Sequence, residues 1–273
     1  MLLMMLCLLA LQLHAQQFPA PEKHPDYETY FRQYGLKGSF ALWDMKADKY
    51  LCYNCYMNDS FTSPASTFKI LNTLIALETG VAKDENFNLK WDGKKYSIEN
   101  WNKDHTLKEA FDNSTVWFYQ EIARQIGEKR MKEWVRKAQY GNQNIGGAID
   151  SFWLTGNLKI TPKQQMDFLR KLYMGTLPFS KRSMDITKKI MIREQTAAYT
   201  LRGKTGWVIP KNADYSSTTT NDIGWFTGWL EQNGNVYFFA TRVFNTDPEN
   251  TDFAPARVEI TKAILRDKLG LMK

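Results

Sequence analysis

The chain has 273 residues, 43% of them hydrophobic, enough to bury one large core or two closely packed lobes, and it reads as a single catalytic unit. Its formal net charge is +7, yet Lys and Arg alternate with Asp and Glu throughout and no basic run carries interleaved aromatics, so the charge reads as a solvated surface with no nucleic-acid partner. The histidines stand outside any H-E-x-x-H or Cys/His spacing, which argues against a metal centre and against a Ser-His-Asp triad.

Met1 to Ala15 is almost uninterrupted apolar sequence ending in Leu13-His14-Ala15, as in a secretory leader whose removal leaves Gln16 first, although it carries no Lys or Arg. It is shorter than the ~20 apolar residues that cross a bilayer. Residues 1–15 are therefore expected as a leader and residues 16–273 as one exported domain without stable membrane insertion. Residues 39–43 and 49–53 read as short strands joined by a polar turn at Lys46-Ala47-Asp48. Cys52-Tyr53-Asn54-Cys55 follows a strand pattern and opens no helix, so a thioredoxin-like site is not expected. In an extended segment its two thiols point to opposite faces and cannot bridge without a turn.

A helix follows, with Ser63 as its N-cap, Pro64 at its first position, Phe68, Leu71, Leu74 and Ile75 as its apolar stripe and Gly80 as its stop. The centre of the chain, about 63–196, is mainly helical. Within it His105, among Asn102, Lys103 and Asp104, is expected in an exposed loop. Strand signals return at 198–202, 223–231 and 236–243, with Asn233-Gly234 as a hairpin turn, and a last helix spans 256–269. Strands from both ends around a helical middle predict an α/β fold: an antiparallel sheet built from both termini, flanked by helices, with a helical lobe inserted.

Ser66-Thr67-Phe68-Lys69 sets a hydroxyl and an amine one helical turn apart on one face. A serine oxygen is a weak nucleophile until a base takes its proton, and a lysine supplies that base once its ammonium is discharged. Near a helix N-terminus, backbone N–H groups favour the developing negative charge. An S-x-x-K spacing arises by chance about once in a chain of this length, so its companions carry the argument. Ser114-Thr115-Val116 lies in a helical stretch, Tyr140-Gly141-Asn142 opens a Gly-rich loop that leads to Phe152-Trp153-Leu154, and Lys204-Thr205-Gly206 lies in a strand-like segment bounded by Arg202 and Val208.

With these motifs in this order, the chain from about Gly35 to Leu269 resembles the class D serine β-lactamases, the oxacillinase type. S-x-x-K with K-T-G belongs to penicillin-recognising enzymes at large, and the S-x-V and Y-G-N forms point to class D. The resemblance implies the same fold with the active site between its lobes, a bacterial periplasmic location, hydrolysis of the β-lactam amide through a Ser66 acyl-enzyme, and antibiotic resistance. It implies that Lys69 is N-carboxylated by carbon dioxide or bicarbonate, with no other cofactor, and serves as base in acylation and deacylation alike. Apolar Val116, Trp153 and Leu154 would help discharge Lys69, and the Trp153 indole N–H would hold a carbamate oxygen. The loop from 140 to 158 offers only Asp150 as an acid, so the deacylating glutamate known in class A has no evident counterpart.

Ser114 would pass a proton to the leaving nitrogen and Lys204 would supply positive potential. Thr205 and Gly206 would line the strand beside the substrate, and the Trp207 N–H would join that of Ser66 as oxyanion donor. Tyr140 and Leu154 are expected among the substrate-binding residues. Arg257 matches the family's carboxylate-binding arginine, with Arg242 as the rival. A β-lactam sensor domain and a cell-wall transpeptidase or carboxypeptidase stay open as other functions. Preference among β-lactams, which the 209–222 loop borders, and the choice between monomer and homodimer are not legible.

Overall fold

The structure, a computed structural model, describes residues 18–208 and 221–273. The expected leader and most of the 209–222 loop lie outside the described residues. The chain enters through β1 (Pro21–Lys23), α1 (Glu28–Arg32), β2 (Lys37–Asp44) and β3 (Lys49–Tyr53). The inserted lobe holds α2 (Lys69–Glu78), the short pair β4 (Asn88–Leu89) and β5 (His105–Thr106), then α3 (Leu107–Asp112), α4 (Val116–Ile126), α5 (Glu128–Lys137), α6 (Pro162–Met174) and α7 (Lys181–Ile190). The chain returns through β6 (Ile192–Gln195), β7 (Tyr199–Val208), β8 (Asp222–Gln232), β9 (Asn235–Asn245) and α8 (Phe253–Ala263).

Seven strands form one sheet in the order β1-β3-β2-β9-β8-β7-β6. The expected antiparallel pairing holds except at one edge, where β1 runs parallel to β3. The turn between β8 and β9 places Asn233 at φ +54° and Gly234 at +68°, the left-handed pair that suits a two-residue hairpin.

Period-two patterning sorts the sheet's side chains between two cores. Phe40 and Leu42 of β2 join Phe226, Phe239 and the α8 residues Phe253 and Ile260 on one face. Ala41 and Trp43 join Trp225, Phe238 and the α2 residues Leu71 and Leu74 on the other. Nine consecutive residues of α2, Lys69 to Leu77, are buried, so it is a core helix, enclosed on all sides.

Two sequence-based expectations change here. His105 is fully buried, because β5 draws it under α4, with its Nε2 3.4 Å from Thr115 Oγ1 and its ring beside Trp117. Cys52 and Cys55 form a disulfide with their Cα atoms 5.3 Å apart. The turn that an extended segment lacks comes from Asn54, at φ +48°, after which Cys55 opens a 3-10 helix.

Candidate active site

Ser66 lies in a 3-10 turn, Ala65–Phe68, that runs directly into α2 at Lys69. The turn begins at Ala65, one residue after the Pro64 start expected from the sequence. Ser63 caps it only through a long contact from Ala65 N at 3.4 Å, its hydroxyl donating instead to the carbonyls of Trp153 at 2.7 Å and Leu154 at 3.1 Å. In a 3-10 turn residues i and i+3 eclipse, and Lys69 Nζ stands 2.8 Å from Ser66 Oγ. Lys69 is fully buried and none of the described carboxylates pairs with it, so burial alone pulls its amine down to about 7.

Ser114 bridges α3 and α4 with its backbone at φ +56°, a conformation unusual outside glycine. It accepts a hydrogen bond from Lys204 Nζ. Lys204 is also wholly enclosed, and burial, followed by the nearby charges of Lys69, Arg193 and Arg257, holds its proton affinity well below that of an ordinary lysine.

Lys204 belongs to β7, which β6 flanks only as far as Arg202, so the following residues present an open edge to the nucleophile. Gly206 makes the approach possible: a Cβ there would meet Pro64 O at 3.1 Å and Thr67 Cγ2 at 3.2 Å. Gly206→Ala is expected to push β7 off the nucleophile turn by a few tenths of an ångström and to lower kcat/KM on the order of tenfold. Full activity in that variant, measured by steady-state turnover, would show that the close approach does not set the site.

Between α2, α4 and β7 opens a cleft of about 270 Å³, lined by Ser66, Ser114, Thr205 and Arg257 on its polar side and by Ile98, Trp101, Val116, Leu154 and Trp207 on its apolar side. A hollow of about 320 Å³ beside the disulfide contains none of these groups.

The Penicillin binding protein transpeptidase domain family matches residues 25–266. Beta-lactamase OXA-48 of Klebsiella pneumoniae is 40% identical over 247 residues, 90% of this chain and 89% of that protein. A class D β-lactamase from Nostoc superposes with a TM-score of 0.84 at 46% identity, over 91% of this chain and 100% of that chain. The chain belongs to the class D β-lactamases. It is also similar to the C-terminal domain of the Bacillus licheniformis BlaR penicillin-receptor, with a TM-score of 0.83 at 31% identity over 93% of this chain and 98% of that one.

Within this class D chain the two candidate arginines separate. Arg257 extends from α8 to the cleft, donating to Gly206 O at 3.0 Å and lying over the Trp207 ring. Its stem fits because Gly224 has no side chain; a Cβ there would meet Arg257 Cδ at 2.6 Å. Arg242 is buried away from the cleft, donating to the carbonyls of Met57 and Ser60. Sequence reasoning missed Gly224, Ile98 and Trp101; the apolar pair sits in the 90–105 segment, which has no strong periodicity.

Tyr140, expected against the substrate, does not border the cleft. It is buried behind the nucleophile turn with its hydroxyl 3.5 Å from Gln165 Oε1, while Gln165 Nε2 donates to Thr67 Oγ1 at 2.6 Å and Thr67 donates to Pro64 O at 2.7 Å. Its neighbours zip two loops together. Gly141, at φ +55°, faces Lys159 O, 2.2 Å from where a Cβ would stand, and Asn142 N donates to Lys159 O at 2.9 Å. The Y-G-N motif thus fixes the segment that carries Trp153. That indole stacks on Phe68 with centroids 5.4 Å apart, and its Nε1 is buried without a partner. A buried donor left open is costly. The described side chains supply no acceptor for it.

Proposed function

We propose that the protein hydrolyses the amide bond of β-lactam antibiotics through an acyl-enzyme on Ser66, with N-carboxylated Lys69 as the base of both half-reactions, and so confers resistance on the bacterium that exports it. The observation that carries this reading is a buried amine pulled to about 7 with no described carboxylate to hold its charge, 2.8 Å from the Ser66 hydroxyl. Carbon dioxide adds only to a neutral amine, and the carboxylate so formed would supply an oxygen base between Ser66 and the unpartnered Trp153 Nε1. Val116 and Leu154 would keep water from that end of the side chain.

Arg257 binds the substrate carboxylate and sets the lactam along β7. Ser66 Oγ attacks the carbonyl carbon and loses its proton toward the end of the Lys69 side chain. The carbonyl oxygen, as it gains charge, is held by the N–H groups of Ser66 and Trp207. Ser114, held by Lys204, passes a proton to the leaving nitrogen. Deacylation repeats the proton abstraction on a water, which uses the same base twice.

Steady-state hydrolysis of nitrocefin and benzylpenicillin, with and without bicarbonate, tests the reading: many turnovers per enzyme and activation by bicarbonate are expected, and a single stoichiometric burst would refute it. That burst is the signature of a sensor domain, the second reading, favoured by the likeness to the BlaR receptor domain. Trp153→Ala removes the indole donor, so it should weaken the carboxylate and slow deacylation by on the order of tenfold to a hundredfold, with partial recovery at high bicarbonate. Unchanged turnover together with a full carbon-13 carbamate signal would return Trp153 to the status of a core aromatic.

A further inference from the structure

Arg242, on β9, is 1% exposed and makes no ion pair with any described carboxylate. Burial lowers its proton affinity to about 10, so it stays charged at neutral pH. Burying an unpaired cation is unfavourable, which makes what the guanidinium touches informative. It donates to Ser60 O at 3.0 Å, to Ser60 Oγ at 2.6 Å and to Met57 O. Its plane lies over the Trp225 ring, 5.3 Å from the centroid. Trp225 Nε1 in turn donates to Ser63 O at 3.0 Å, and Ser63 Oγ donates to Trp153 O at 2.7 Å. Ala65 N donates to the same Trp153 carbonyl at 3.0 Å, from a residue at φ +46° directly before the nucleophile.

These contacts form one connected path from the sheet to both partners of the reaction. The segment from Met57 to Ala65 is gripped at its start by the guanidinium and at Ser63 by the indole on which the guanidinium rests. Its far end grips the backbone of Trp153 and delivers Ser66. We propose that Arg242 is a positioning residue: through Ser60, Trp225 and Ser63 it sets the placement of Trp153 against Lys69, and thereby the affinity of Lys69 for carbon dioxide. The proposal rests on the N-carboxylated Lys69 of the preceding reading.

The test compares the wild-type protein with Arg242→Met, which keeps bulk but not the donors, and with Trp225→Phe, which keeps an aromatic face under the guanidinium but loses the bond to Ser63 O and part of the buried ring. Carbon-13 NMR of the Lys69 carbamate across a bicarbonate series gives the half-saturating concentration without reference to activity, and thermal unfolding is followed in parallel. Half-saturation is expected to rise on the order of tenfold in Arg242→Met and less in Trp225→Phe. At saturating bicarbonate kcat should recover while KM stays within about twofold. Should Arg242→Met fail to fold, Trp225→Phe decides. Lowered unfolding temperatures with an unchanged half-saturating concentration would overturn the proposal and leave Arg242 a structural cation. Absence of any carbamate signal in the wild-type protein, at high bicarbonate, would instead overturn the preceding reading, and this one with it.

Discussion

Ser66→Ala is expected to abolish both hydrolysis and covalent labelling by penicillin, lowering turnover on the order of 10⁴-fold or more, the range seen when a serine nucleophile is removed. The two losses go together because Ser66 Oγ faces Lys69, whose amine burial pulls down to about 7, whereas Ser114, the other described cleft hydroxyl paired with a depressed lysine, takes its hydrogen bond from Lys204. That bond orients Ser114 to pass a proton to the leaving nitrogen. Intact-mass spectrometry after incubation with benzylpenicillin checks the assignment. An acyl adduct on the alanine variant would move the nucleophile elsewhere, Ser114 being the first place to look.

Lys69→Ala should separate the half-reactions. Acylation is expected to continue slowly, helped by the oxyanion donors and the ring strain of the substrate. Deacylation should fall by about 10²–10⁴, the usual contribution of a general base. Acyl-enzyme therefore accumulates, and normal turnover in this variant would refute the role of Lys69. The same residue predicts a pH signature. In the unfolded chain its amine titrates near ~10.4; burial brings that to about 7 in the fold. Between those values the unfolded state holds a proton that the folded state does not, so stability rises with pH across the window by up to ~1.4 kcal/mol per unit, and this contribution is lost as pH falls to 7. Denaturant titrations in carbon-dioxide-free buffer should show a shallower slope in Lys69→Ala than in the wild-type protein, the remainder coming from Lys204, whose proton affinity burial also lowers. Reactivation by bicarbonate should fail progressively below pH 7 as the amine becomes charged.

Much of this site was legible because the S-x-x-K spacing survives a change of helix type: whether the turn is α or 3-10, residues 66 and 69 share a face. The strands 49–53 and 223–231 were legible as short runs rich in aromatic and aliphatic residues, and Asn233-Gly234 from its turn chemistry. What escaped depends on contacts distant in sequence. Tyr140 reads as a loop residue and is a buried brace, because the polar partner it needs, Gln165, comes from a helix 25 positions on. His105 sits among charged neighbours but is covered by α4. Arg242 and Arg257 read alike, and only the tertiary fold distinguishes the one that reaches the cleft from the one that braces the wall behind it. The disulfide required knowing that Asn54 turns left-handed.

The pairing of β2 with β9, in which Ala41 faces Ala240, also governs when the enzyme comes into being. A ribosome delivers Ser66 and Lys69 long before Gly206 and Arg257, and the central strand of the sheet is among the last segments made. Closure of the sheet must await that strand, a non-local step that slows folding. A growing chain therefore carries the nucleophile without its oxyanion wall or its carboxylate anchor, and is chemically silent toward the antibiotic until synthesis is nearly done. Truncation before β9 should leave no partial enzyme, whereas a break in an exposed loop of the inserted lobe leaves both halves of the sheet able to find one another.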